Sequence, residues 1–307
     1  MLKARTQLAA KIEAQEGTAE TLAGTDAFLA MNPSFKPAIE VSERDNLSAS
    51  LSQWAAVPGK RSAVIEFDME LKGSGAAGTA PALGKMLKAC GFGETVVTSV
   101  SVTYLPASAS ISSMTMAMYM DGIIKKIWGA RGNVSLKLED GKPAIFHFTF
   151  TGADFSVLDG ALLSSGVSYE ATIPTAFQNA SLTLDTYAAL LGNIEINMNN
   201  EVALREDVNA SSGHKSAVIT KRKPTMSIDP EFVTVATYDF YGKLRSGALG
   251  AATMALSGGV GNICTITAPK VQYVAVNPAD KGGINSLGID CKLNRNAGDD
   301  EVSLAYT

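Results

Sequence analysis

The chain is 307 residues long, 46% hydrophobic and 18% charged, enough apolar material for one large or two medium cores, which excludes a mainly disordered protein. Its formal net charge of -4 excludes a surface-wide basic field that would hold nucleic acid by counterion release. Three cysteines without CxxC spacing, Cys90, Cys264 and Cys291, argue against a disulfide framework or a zinc site and for assembly in a reducing compartment.

In chain order, the opening "MLKARTQLAAKIEAQEG" carries charges where a signal peptide needs an apolar core, and no later run reaches the roughly 18 apolar residues of a membrane span. Residues 1–35 read as an N-terminal arm. A strand signal at Ile39-Glu40-Val41 precedes the polar loop "SERDNLSASLSQWAAVP" (42–58). That loop far exceeds the usual hairpin connection of about two to five residues, so it is a candidate functional loop. Trp54 within it either folds back onto its own chain or meets a partner. "SAVIEFDMEL" (62–71) alternates as a half-wet strand, with Ala63, Ile65, Phe67, Met69 and Leu71 on one face and Glu66, Asp68 and Glu70 on the other.

Gly73 to Gly78 spell GxGxxG, but the strand before them carries acids on alternate positions and no βαβ succession follows, so they read as a connection rather than a dinucleotide site. "APALGKMLKACGF" (80–92) reads as a helix with Pro81 in its first turn, Gly91 as its stop, and Leu83, Met86, Leu87 and Cys90 on one stripe. In "SMTMAMYMDG" (113–122) the period is two, so Met114, Met116, Met118 and Met120 share a face to be buried, in the core or against another protomer, on a strand that enters a turn at Asp121-Gly122. Ser113, Thr115 and Tyr119 on the other side remain a candidate contact face for a neighbour or a lumen. "NVSLKLEDGKPAIFHFTFTG" (133–152) reads as two strands joined at Asp140-Gly141, with Ala144, Phe146, Phe148 and Phe150 sharing a face. His147 falls opposite the phenylalanines as a structural histidine, and His214 falls in a solvated Ser-Ser-Gly loop.

"GKRSAVI", from Gly59, returns as "GHKSAVI", from Gly213, and Ile39-Glu40-Val41 returns as Ile194-Glu195-Ile196, each about half a chain later and with a polar loop between. The pattern predicts two tandem β domains, 36–165 and 166–307. Aligning the glycines sets Glu66, Asp68 and Glu70 opposite Thr220, Arg222 and Pro224, which are not acidic. With no elbow serine, no HExxH and no close His/Cys/Asp cluster, catalytic, cofactor and metal sites are not expected.

"LAAKIEAQEGT", "GTDAFLAMNPS", "SERDNLSASLS", "GKRSAVIEFDMELKGSGAAGTAPALGKMLKACGF", "WGARGNVSLKLEDGKPAIFHFTFTG", "NNEVALREDVN" and "DFYGKLRSG", in this order and across essentially the whole chain, resemble the tail tube (major tail) proteins of long-tailed bacteriophages. The resemblance implies a mainly β fold of tandem tail-tube-type β-sandwich or barrel domains, each with a flanking helix or helix-like segment. It further implies identical subunits joined edge to edge into rings, rings stacked into a hollow DNA conduit, and a place in the virion tail after assembly in the host cytoplasm. Family rings usually hold six single-domain subunits, so a two-domain chain implies a trimer, a pseudo-hexamer.

The implied partners are further copies of the chain, tape measure, tail terminator and distal tail proteins, and DNA in transit, with no membrane. Ring-stacking roles map to the arm 6–17 with Ile12 and Glu13, to 43–57 with Glu43, Arg44, Asp45, Gln53 and Trp54, and to 200–212 with Glu201, Arg205, Glu206 and Asp207. A conduit must not grip DNA, so the acidic row Glu66, Asp68 and Glu70 is the lumen candidate. The alternatives are a phage-derived injection device without DNA cargo and, from another class, a nucleotide-cofactor enzyme using Gly73 to Gly78.

Overall fold

Long alternating runs make this a β protein, and tight turns decide which strands become neighbours. The computed structural model describes residue 2 and residues 4–307. The first half runs β1 (Thr6–Ile12), β2 (Ala27–Phe28), β3 (Met31–Ser42), β4 (Val57–Glu70), helix α1 (Gly84–Ala89), β5 (Phe92–Val97), β6 (Ser101–Pro106), β7 (Met114–Met120), β8 (Gly122–Glu139), β9 (Ile145–Gly152) and β10 (Asp154–Gly160). The second runs β11 (Thr183–Leu184), β12 (Asn193–Asn197), β13 (Glu201–Glu206), β14 (His214–Lys221), β15 (Thr225–Ile228), helix α2 (Phe240–Ser246), β16 (Leu249–Ser257), β17 (Ile263–Lys281), β18 (Ile284–Leu293) and β19 (Ser303–Tyr306). The fold is mainly β, in large antiparallel sheets, as the alternation requires.

One antiparallel row, β3-β4-β9-β8-β12-β15-β18-β17, passes through both halves. The order β3-β4-β9-β8 of the first half recurs in the second as β12-β15-β18-β17. Strands β8 and β17 are the longest, 18 and 19 residues, because each serves two sheets. The later part of β8 lies in the row, and its earlier part pairs with β7 and β10 in a second sheet that β1 and β2 extend. The bend falls at Gly129 (φ +60), where an added Cβ would stand 3.0 Å from the Ala153 Cβ. Along one side of β17 the partner changes from β19 (264–267) to β18 (271–281), while β16 pairs on the other side up to Gln272, and β19 continues to β6 and β5. The pairs β8–β12 and β6–β19 therefore cross from one half to the other, over one apolar core.

That core is built from the alternating faces. Ala63, Ile65, Phe67, Met69 and Leu71 are all buried, and the Phe67 ring stacks on Phe148 and Phe150 at 5.5 and 5.9 Å. Met114, Met116 and Met118 enter the same core beside Leu83, Met86, Leu87 and Cys90, with Met120 packed against it. Burying four methionines contributes at most about 6 to 12 kcal/mol. The opposite side of β7 is covered by the chain itself and is not a contact face. Ser113 and Thr115 donate to the Glu13 carboxylate, and Tyr119 packs with Leu22, Leu162 and Leu163.

Three expectations change. Residues 6–12 are a strand within a sheet rather than an arm: Leu8 and Ala10 enter the main core while Ala9 enters a smaller cluster on the other face. The helix is shorter than 80–92, because residues after Pro81 form a turn (Gly84 N to Pro81 O, 2.9 Å) and Gly91, at φ +86, ends it. The repeated segments also occupy different places. "GKRSAVI" lies in β4, which enters the row, whereas "GHKSAVI" lies mostly in β14, paired with β13 in a separate two-stranded sheet. Pro224, which has no N–H to give a sheet, separates β14 from β15. His214 consequently starts a strand, half-buried, instead of sitting in a solvated loop.

Candidate assembly surfaces

Directly paired residues share a face, so the register of the row reads out its surface. One line of side chains runs Asp68, His147, Ser135, Asn197, Thr225, Lys292, and the next runs Glu70, Ile145, Lys137, Glu195, Ser227, Asp290. Glu66 stands beside them, level with Thr149 and Asn133. This face lies opposite the aromatic core. Its carboxylates Glu66, Asp68, Glu70, Glu139, Glu195, Asp229 and Asp290 outnumber its lysines Lys36, Lys137, Lys281 and Lys292, of which Lys281 pairs with Asp229 at 2.8 Å. Lys36 Nζ lies 2.6 Å from Glu66 Oε2, and this hydrogen bond holds the Glu66 carboxyl below its ordinary pKa despite partial burial. His147 Nδ1 lies 2.7 Å from Asp68 Oδ1. Thr220, Arg222 and Pro224, the counterparts by sequence, lie off this face because β14 has left the row. Glu195 and Asp290 extend its acidic character into the second half.

The row has two open ends. Among the described residues, β3 pairs on one side with β4, and residues 273–281 of β17 pair on one side with β18. Pro33 and Pro37 in β3 and Pro278 in β17 are residues that edge strands tolerate.

The two long loops differ. Every residue from 36 to 55 is exposed, Glu43, Arg44, Asp45 and Gln53 among them. Trp54, 43% exposed, donates from Nε1 to the Asn46 carbonyl at 3.1 Å and lies under the Arg44 guanidinium, so it folds onto its own loop and not onto the body. The second loop is a ribbon, β13–β14, seated on the first half. Glu206 pairs with Lys60, Arg205 with Glu16 at 3.6 Å and Glu201 with Lys223 at 3.3 Å, while Asp207 lies in the ribbon's turn. Arg131, almost wholly buried, donates to Glu16 at 2.7 Å and to the Ala217 carbonyl. Ser216 donates to Glu16 at 2.6 Å; that hydrogen bond leads in holding the Glu16 carboxyl below its ordinary pKa. Of the residues mapped to the arm, Ile12 packs against the core and Glu13 is 8% exposed. Both are inside the fold.

A family model described as phage tail tube protein matches residues 3–300. The chain belongs to that family. No curated protein matches it. Tail tube proteins are structural proteins of the virion tail and assemble into a tube with other tail components.

In this tail tube chain the glycine-rich stretch serves its own backbone. Gly73 donates to Asn262 Oδ1 at 2.7 Å, and a Cβ on Gly73 would stand 2.0 Å from the Gly261 carbonyl oxygen. Gly75 donates to the same carbonyl at 3.1 Å. The close approach a dinucleotide phosphate would require is thus taken by the 259–262 turn. A cavity of about 720 Å³ lies alongside, lined by Phe28, Met69, Lys72, Leu83, Lys85 and Glu170 among others. Its lysines tie the chain together: Lys85 donates to the carbonyls of Ala10 and Asp26, Lys72 to that of Glu170, and burial pushes the Lys85 pKa down. Among the described residues no group of His, Cys, Asp and Glu is placed to hold a metal ion.

Proposed function

We propose that three copies of this tail tube chain close into a ring and that stacked rings conduct viral DNA. The observation that carries this reading is the β8–β12 junction. There the first half of the row hands over to the second through five paired residues, Asn193 to Asn197 against Glu139 to Ser135. The row then ends on β17, the counterpart of β8, and begins on β3, the counterpart of β12. The same antiparallel junction, made between β17 of one copy and β3 of the next, leaves no open edge once the ring closes. Two four-strand units per chain fill a six-unit ring with three chains. The contact is heterologous, as a closed ring needs.

The acidic face then looks into the lumen. Duplex DNA carries about one charge per 1.7 Å, and a wall richer in carboxylates than in lysines releases no counterions to it. Stacking needs a second set of contacts along the axis. The exposed loop 43–57 is free to supply one, whereas residues 6–13 and the 201–206 ribbon are already engaged within the chain. Tape measure, terminator and distal tail proteins are the expected occupants of the bore and the two tube ends, with assembly in the host cytoplasm. Native mass spectrometry of isolated rings is the test: three chains per ring are expected, and six would overturn the ring of three.

A further inference from the structure

We infer that the outer part of the β3–β4 hairpin, residues 36–42 with 57–59, all exposed, is a strap that lies on the second half of a neighbouring copy of this chain. The template is inside the chain. Beyond Asn197 and Thr225 the ribbon β13–β14 leaves the row and lies across the bend of β8. Arg131 holds it by the Ala217 carbonyl, and Asn200 Nδ2 donates to the carbonyls of Cys90 at 2.7 Å and Gly132 at 3.0 Å. Its tip reaches β4, where Arg61 N donates to the Ser212 carbonyl at 3.0 Å.

Strands β3 and β4 hold in the first half the places that β12 and β15 hold in the second, so the outer hairpin is the counterpart of this ribbon. It has no seat in its own chain, because β3 stands at the end of the row. Ile39 and Val41 are accordingly 51% and 57% exposed on a two-stranded hairpin, an element that is marginal alone in water. The corresponding seat is at the other end of the row, near the bend of β17. Leu249 and Val274, 50% and 44% exposed, lie there beside the open edge. An apolar strap and an apolar seat at opposite ends of one row fit a second copy in a heterologous contact.

The inference rests on the ring reading and refines it: the hairpin stem binds within a ring, leaving residues 43–56 for the next ring. Amide exchange on free subunits, isolated rings and stacked tubes separates the cases. Residues 36–42 and 57–59 are expected to slow by about tenfold or more on ring closure, and 43–56 on stacking. Stem protection that arises on stacking alone overturns the strap and leaves the ring standing, whereas failure to find rings by native mass spectrometry overturns the ring reading and the strap with it. The double variant Ile39→Ser/Val41→Ser is expected to unfold like the native subunit, since both side chains are exposed, yet to need about tenfold more protein to form rings. Unchanged ring formation overturns the strap.

Discussion

Replacing Glu13 by alanine separates a residue of the fold from a residue of an assembly arm. Its carboxylate accepts four hydrogen bonds: from Gly17 N at 2.9 Å and the Ser113 hydroxyl at 2.6 Å on one oxygen, and from the Thr115 hydroxyl at 2.9 Å and Gly129 N at 2.6 Å on the other. In Glu13→Ala the two hydroxyls can rotate to other acceptors, but the main-chain N–H groups of Gly17 and Gly129 cannot. Stranding the buried Gly129 donor costs about 1 to 3 kcal/mol and the half-buried Gly17 donor less, so the variant should lose about 1 to 4 kcal/mol. With an unfolding entropy of about 2.1 cal/mol/K per residue, this lowers the melting temperature by about 2 to 6 °C. Calorimetry or urea titration on the unassembled subunit reads it directly. Glu13→Gln, which keeps one carbonyl oxygen, should fall between the two. If Glu13→Ala leaves the free subunit within about 0.5 kcal/mol of native and impairs assembly alone, the residue works as part of a stacking arm and the present reasoning is refuted.

Two further outcomes are expected. Gly73→Ala drives a Cβ against the Gly261 carbonyl and should destabilise the subunit by about 1 to 3 kcal/mol in urea titration, and a native midpoint would show that the glycine is not a packing spacer. Asp229 is pushed up by burial but pulled further down by Lys281, by the Asn193 side chain and by the main-chain N–H groups of Asn193 and Gly192, so its folded pKa lies below the ordinary value. A depressed carboxyl contributes stability above its unfolded pKa and loses it as pH falls through the folded pKa. Asp229→Asn should therefore be less stable than native at pH 7, with the gap shrinking into acid, and a gap that is constant down to pH 3 would refute the linkage.

Local alternation was legible and long-range pairing was not. The buried faces of β4 and β9, the methionine stripe of β7 and the turns at Asp121-Gly122 and Asp140-Gly141 follow from a period of two and from turn chemistry. Strand β1 is hard to see in "TQLAAKI" because its only large apolar side chains, Leu8 and Ile12, are separated by alanines that show no alternation. Both its faces are buried by segments far away in sequence, β7 and the residues around Leu22 and Leu162 among them. The acids of β4 could be placed on a shared face, but Glu195 and Asp290 join them through the β8–β12 and β15–β18 registers, which no local pattern encodes. Pro224 was the readable sign that "GHKSAVI" leaves the row, since a proline between two strand signals demotes a continuous strand. The heptad match itself carries no information on hydrogen-bond partners.

Fusing the two units changes the physics of closure on the proposed ring. Six separate units would have to form six junctions between molecules, five of them losing translational and rotational freedom on association and the sixth closing the ring. In this chain the β8–β12 junction is intramolecular, backed by the β6–β19 pairing and by a core common to both halves, so it forms as part of folding. Three junctions between chains remain in that ring, two bimolecular and one ring-closing, all between β17 and β3. Those edges differ in kind from the internal one: β3 and β17 carry Pro33, Pro37 and Pro278, and the exposed hairpin stem has nothing in its own chain to lie on. Prolines remove N–H donors that could template pairing with any passing strand, while the unseated stem adds a contact that only a correctly placed copy offers. On the proposed ring, blunt edges combined with a specific strap would keep the free subunit from polymerising at random and still let the ring close.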